Sequence, residues 1–258
     1  MVPDAEYLWG IFSVILGAVV GSFLNVCIYR IPSEKSIAFP ASHCPACEHP
    51  IKFYDNIPII SYIILGGKCR HCNERISPTY PAIELLTAVM SVLLFRRYGL
   101  SIDYLFSFLF TCALIVITFV DLKHQIIPDV ITLPGIPLFA LAAIFLMDVT
   151  FRDSLIGILA GGGFLYLVAL GYQLLTKREG MGGGDIKLLA MMGGFLGWQS
   201  LWFIIMAGSL VGGVVGISVM ISKGKDTKYP IPFGPFLSIA AVAYIFWGDA
   251  FMRILVVR

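Results

Sequence analysis

Charge is what this sequence has least of: 13% of its 258 residues are Asp, Glu, Lys or Arg, against 58% hydrophobic residues and a mean hydropathy of +0.88. A soluble domain of that composition could not keep its apolar surface from water, which leaves a membrane protein. Histidine is nearly as scarce. His43, His49 and His71 sit in one cysteine-bearing loop and only His124 lies elsewhere, so no serine, histidine and aspartate arrangement is available, and no G-x-S-x-G elbow exists. Nor is there an H-E-x-x-H pair for a catalytic metal. The head of the chain carries Asp4 and Glu6 but no Lys or Arg, and no small-residue cleavage site follows the first apolar run. That run is therefore expected to remain as a span, not to leave as a secretory signal.

What is abundant is apolar sequence in lengths that suit a bilayer, about 20 residues for roughly 30 Å of hydrocarbon. Eight candidate spans are read: Leu8 to Ile28, Pro81 to Phe95, Tyr104 to Val120, Val130 to Met147, Ser154 to Thr176, Ile186 to Gly197, Leu201 to Ile221 and Phe236 to Val257. The sixth is short and the second marginal. The expected fold is an all-α polytopic membrane protein of about eight transmembrane helices. Of the 18 basic residues, only Arg96, Arg97, Arg152, Arg253 and Arg258 fall on the face opposite the longer loops. The positive-inside rule thus places those loops in the cytoplasm and both termini outside it. The net charge of +2 reflects this asymmetry and gives no reason to invoke nucleic acid. The expected partner is the lipid bilayer, and the oligomeric state is left open.

The one sizeable polar segment, Pro32 to Tyr80, is too small for a large core and needs a staple. Cys44-Pro-Ala-Cys47 and Cys69-Arg-His-Cys72 give four thiolates in two knuckles, the spacing of a structural zinc site. Disulfides are the competing reading, disfavoured in a reducing cytoplasm. His43, His49 and His71 are read as neighbours of the site, because four cysteines already complete the shell. Cys27 and Cys112 lie inside spans and read as apolar filler.

Two aspartates stand where hydrophobic runs meet water: Asp121 after Thr111 to Val120, and Asp185 after the glycine-rich stretch Gly180 to Gly184. A carboxylate at the edge of hydrocarbon is costly to hold, so its default reading is functional. Two spans separate the pair, which returns both to the cytoplasmic face. Brought together, two like charges cannot both ionise easily, and one acid with one base results, the chemistry of an aspartic peptidase. Gly182-Gly183-Gly184 precedes a helix start, where backbone freedom and free N–H groups would help position a substrate chain. Asp129 competes with Asp121 in the same loop, but Pro128 before it suggests an N-cap for the span from Val130. His124 is a candidate for orienting that loop. Asp103, Asp148, Asp153 and Asp249 map to the outer side and read as ordinary carboxylates.

Six segments in order give the chain a resemblance to the bacterial type IV prepilin peptidases, the leader peptidase and N-methyltransferase family: GSFLNVCIYRIP, the two CxxC knuckles, DNIPIISY, DLKHQIIPD, MGGGDIK and IPFGPFL. The resemblance implies an intramembrane aspartic protease whose catalytic residues are Asp121 and Asp185. It would cleave the short leader from prepilins and pseudopilins at the inner membrane and methylate the new amino terminus. The implied cofactors are a structural zinc at Cys44, Cys47, Cys69 and Cys72, and S-adenosylmethionine for methylation, associated with Pro32 to Tyr80. No dinucleotide-type glycine fingerprint occurs there, and the donor-binding residues are left unassigned. The expected division is a first span over 1–31, a cytoplasmic zinc-binding domain over 32–80 and a seven-helix peptidase domain over 81–258. Glu34, Glu48, Glu74 or Glu84 would meet a basic leader. The alternative is a proton-coupled transporter with a regulatory zinc loop, but neither a repeat nor a mid-span acid supports it. A non-catalytic assembly scaffold would be expected to lack one aspartate, and this chain has both.

Overall fold

A computed structural model describes residues 3–176, 182–223 and 232–256. Lys177, Arg178, Gly180, Met181, Lys225, Lys228, Ile231, Val257 and Arg258, each used above in a motif, span or topology argument, lie outside the described residues. Among the described residues the chain forms nine α-helices and no β-strand: α1 (Pro3–Arg30), α2 (Ile60–Ile64), α3 (Thr79–Tyr98), α4 (Ile102–His124), α5 (Asp129–Leu146), α6 (Phe151–Thr176), α7 (Gly183–Leu196), α8 (Gln199–Lys223) and α9 (Gly234–Val256). Seven are long and apolar enough to cross a membrane, so this is an all-α, multi-pass membrane protein. Every expected span coincides with a helix. The sixth differs in kind: the 14 residues of α7 rise only about 21 Å, short of the roughly 30 Å of hydrocarbon.

The chain divides into two compact units, Met1–Val116 and Ile117–Arg258, and α4 contributes to both. In the first unit α1 packs along α3 through small residues. A Cβ on Gly17 would lie 2.6 Å from Ala88 Cα, and one on Gly21 would lie 2.7 Å from Glu84 Cα, so only glycine admits this approach. Ile11, Ile15, Val19 and Phe23, four residues apart on α1, are exposed and form the stripe left to lipid. The buried hydroxyls of Ser91 on α3 and Tyr104 on α4 share a hydrogen bond of 2.7 Å. Where α1 ends, buried Arg30 donates to the carbonyls of Ser36 and Pro40 at 3.0 and 2.7 Å, which ties down the start of the loop.

The second unit is built around α7. Leu188 through Phe195 are all buried, because α5 and α6 clasp the short helix from its flanks. A helix apolar on every side must be enclosed by protein or lipid, and here protein does it. Glycines set the spacing: a Cβ on Gly157 of α6 would fall 2.0 Å from the Gly193 carbonyl oxygen, and one on Gly161 would fall 2.5 Å from that of Leu189. The Ser154 hydroxyl crosses the same seam to donate to Gly194 O at 2.7 Å. Phe139 of α5 closes edge-on against Phe195, with ring centroids 5.4 Å apart.

Candidate active site

Asp121 occupies the last turn of α4 and is buried, with 5% of its surface exposed. The helix closes just after it, where Gln125 adopts a left-handed backbone (φ 56°) and its N–H reaches back to Asp121 O at 2.8 Å. Asp121 Oδ2 in turn accepts the N–H of Gly234, the first residue of α9, at 3.1 Å. The first N–H groups of a helix have no partner within it, and the helix dipole favours a negative charge there, so α9 begins where Asp121 needs a donor. Gly234 must be glycine for this: a Cβ would stand 2.7 Å from Asp121 Oδ2 and 3.2 Å from Ile127 Cδ1.

Asp185 lies in the first turn of α7 and interacts electrostatically with Asp121. Its Oδ1 is buried with no hydrogen-bond partner among the described residues. Ile127 fills the space beside both: a Cβ on Gly184 would come 2.8 Å from Ile127 Cβ. The two aspartates singled out in the sequence are thus brought together by three helix ends, those of α4, α7 and α9. Neither stands mid-helix, as a relay across the bilayer would require.

The glycine run has a packing reason that the sequence did not show. Gly182 is the N-cap residue in an extended conformation, and none of Gly182, Gly183 and Gly184 has a positive φ. Gly184 is required by the close approach of Ile127, while a Cβ on Gly183 would meet nothing. Asp129 also differs from expectation. It is the first residue of α5, with Pro128 as N-cap, and its carboxylate is exposed and ion-paired with Lys187. His124 is exposed at the end of α4. Asp153 accepts from Trp198 Nε1 at 3.0 Å and Thr150 Oγ1 at 2.6 Å, next to the C-terminal end of α7 and away from the end that carries Asp185. Sequence reasoning missed Ile127 and Gly234, although both stand inside quoted motifs.

In the first unit the loop between α1 and α3 brings Cys44, Cys47, Cys69 and Cys72 together, with all four sulfurs within 4.8 Å of one another. The two knuckles repeat one backbone pattern. Cys44 N–H donates to His49 O and Glu48 N–H to Cys44 O; Cys69 N–H donates to Glu74 O and Asn73 N–H to Cys69 O. Glu48 and Asn73 both turn through φ 57°. The N–H groups of Cys72 and then His71 hold the Cys69 thiol down to about 7. All six cysteines are free, and the four-cysteine cluster can hold a metal ion. The rings of His49 and His71 meet at 3.5 Å between centroids, tilted by 34°. The bidentate Arg70 guanidinium keeps the Asp55 carboxyl below the usual carboxylate range and pins the segment before α2 to the second knuckle.

Comparison with known proteins matches residues 15–98 to the Bacterial Peptidase A24 N-terminal domain and residues 108–217 to the Type IV leader peptidase family. The chain is 38% identical over 274 residues to a prepilin leader peptidase/N-methyltransferase of Aeromonas hydrophila, covering 95% of this chain and 93% of that one. It is 36% identical over 264 residues to a protein of the same name from Pseudomonas aeruginosa (93% and 91% covered), and 39% identical over 266 residues to one from Neisseria gonorrhoeae (93% and 91%). No solved structure gives a significant match.

Proposed function

This chain belongs to the type IV leader peptidase family, and from that premise we propose that it removes the leader from prepilins and pseudopilins with Asp121 and Asp185, then methylates the new amino terminus. The observation that carries the reading is the meeting of two carboxylates from distant helices, Asp121 buried and Asp185 half-buried, with Asp185 Oδ1 lacking a hydrogen-bond partner among the described residues. Two carboxylates at close quarters share a proton, which supplies an acid and a base together. Asp121, whose Oδ2 already accepts the Gly234 N–H, takes the role of activating water. Asp185, whose Oδ1 has no hydrogen-bond partner among the described residues, protonates the leaving amide nitrogen. Water adds to the scissile carbonyl, the C–N bond breaks, and the leader leaves with a new carboxyl group.

The four cysteines are proposed to hold zinc. A tetrahedral ion with Zn–S bonds of about 2.3 Å spaces its sulfurs about 3.8 Å apart, and Cys44 Sγ and Cys72 Sγ stand 3.8 Å apart. Zinc there would cross-link the two knuckles and serve no step of the reaction. S-adenosylmethionine, when bound, supplies an electrophilic methyl carbon, and the nascent amino terminus provides the lone pair. The basic-residue asymmetry supports an inner-membrane topology with the aspartates at the cytoplasmic face and both termini outside. Glu84 is a poor candidate for a leader contact because it is buried and already accepts an N–H. The deciding experiment incubates the purified protein with a pilin-like precursor, with and without S-adenosylmethionine, and reads product masses. Loss of the leader in both samples, with one added methyl group only in the first, is expected; an intact precursor in both refutes the reading.

A further inference from the structure

The segment Asp55–Tyr62, DNIPIISY, is a sequence motif with no part in the aspartate pair, and only its Asp55 ties it to the second cysteine knuckle. It runs along a cavity of about 440 Å³ within the first unit, walled also by Asn25 and Tyr29 of α1 and by Tyr80 and Glu84 of α3. That volume lies within the ~300–1,000 Å³ of small-molecule sites. Its wall is held in an unusual conformation. Ile59 has φ 62° and ψ −49°, a region that a β-branched residue rarely enters. Strain of this kind persists where the surroundings over-determine it, and such places cluster at ligand sites. Here the constraint is Glu84, whose Oε2 accepts the Ile59 N–H at 2.7 Å, while the Ser61 hydroxyl accepts the Ile57 N–H and donates to Tyr54 O.

Glu84 is 8% exposed, and its partners are neutral: the Ile59 N–H and the Ser22 hydroxyl. Among the described residues no lysine or arginine pairs with it. A buried carboxylate without a countercharge is costly, and a cationic ligand supplies the missing partner. Tyr29, Tyr62 and Tyr80 add aromatic surface to the same cavity, suited to a soft cation and to a flat heterocycle. Lys52 and Arg75 line it as well and provide the opposite charge for a carboxylate. The ligand that this set describes is a zwitterion with a permanent cation near its middle and an aromatic base at one end.

We propose that this cavity, formed jointly by α1, α3, DNIPIISY and the inner side of the two knuckles, is the site of S-adenosylmethionine, with Glu84 as the carboxylate that receives its sulfonium. The proposal rests on the N-methyltransferase reading above and assigns that activity a place beside the cysteine knuckles, whose Cys44 and Cys69 form part of the cavity wall.

The test is photolabelling of the full-length protein in detergent with an 8-azido analogue of S-adenosylmethionine, followed by peptide mapping. Label is expected within residues 22–30, 42–62 or 65–84, which wall the cavity, displaced by excess S-adenosylmethionine and not by a synthetic leader peptide. Calorimetry runs beside it: Glu84→Gln keeps an acceptor for Ile59 but loses the charge, and is expected to bind S-adenosylmethionine at least about tenfold more weakly. Asp148→Asn, exposed and outside the cavity, should bind as the unaltered protein does. Label confined to other segments, displacement by the leader peptide, or undiminished binding by Glu84→Gln each overturns the cavity assignment while leaving N-methylation intact. A protein that neither binds the donor nor transfers a methyl group overturns both. Thermal unfolding identifies a Glu84→Gln preparation that has not folded, and the labelling of the unaltered protein then decides alone.

Discussion

A single hydrogen bond, from Gly234 N–H to Asp121 Oδ2, fixes one member of the aspartate pair, and it predicts what a methyl group would do there. Gly234→Ala places a carbon 2.7 Å from that oxygen, so the carboxylate must move and lose a charge-assisted bond. Cleavage is expected to fall at least about tenfold, measured as the initial rate of leader release. An unchanged rate would remove Gly234 from the site. Asp129→Asn is expected to retain substantial cleavage, since Asp129 is exposed and engaged with Lys187; a dead Asp129→Asn beside an active Asp121→Asn would reverse the assignment within the loop. Asp121 and Asp185 were legible in the sequence because carboxylates beside apolar runs are costly wherever the chain folds. Gly234 was not, because its meaning depends on a residue 113 positions away. The same holds for Ile127, whose contact with Gly184 is a tertiary fact. The glycine run before Asp185 was legible as a special segment, whereas the close approach of Ile127 to Gly184 was not.

Among the elements, α7 shows how a short helix is held where length alone would not keep it. Its contact with α6 is backbone on backbone at Gly157 and Gly193, so Gly193→Leu must separate the helices. Overpacking of this kind costs about 1–3 kcal/mol or more, and the expected result is a lower thermal midpoint together with weaker cleavage, since Asp185 rides on the same helix. A Gly193→Leu protein of unaltered midpoint would contradict the packing. The brevity of α7 was readable from its span; that protein encloses it was not, because an apolar run looks the same against lipid and against other helices. The cysteine loop was readable from spacing, whereas the repeated turn of its two knuckles emerges only from backbone geometry. Metal analysis of the purified protein is predicted to give one zinc per chain, lost in Cys44→Ser and Cys69→Ser. Acidification should release the ion, because thiolates must be deprotonated to bind it. Stoichiometric disulfides without metal would overturn this.

For the molecule as a whole, the two units hold different constellations: a cysteine cluster and cavity in Met1–Val116, an aspartate pair in Ile117–Arg258. Helix order and fold class were legible because the bilayer imposes span length directly on sequence. The division inside α4 was not, since a continuous apolar helix carries no mark where its neighbours change. Two sites in separate units predict separable activities, so a substitution of the aspartate pair should spare methylation. The most direct measurement is the mass of a prepilin, and of the same pilin already cleaved, after incubation with S-adenosylmethionine and Asp121→Asn or Asp185→Asn. The precursor should emerge intact from both variants while the pre-cleaved pilin gains one methyl group; leader release at the unaltered rate by either variant would contradict the account.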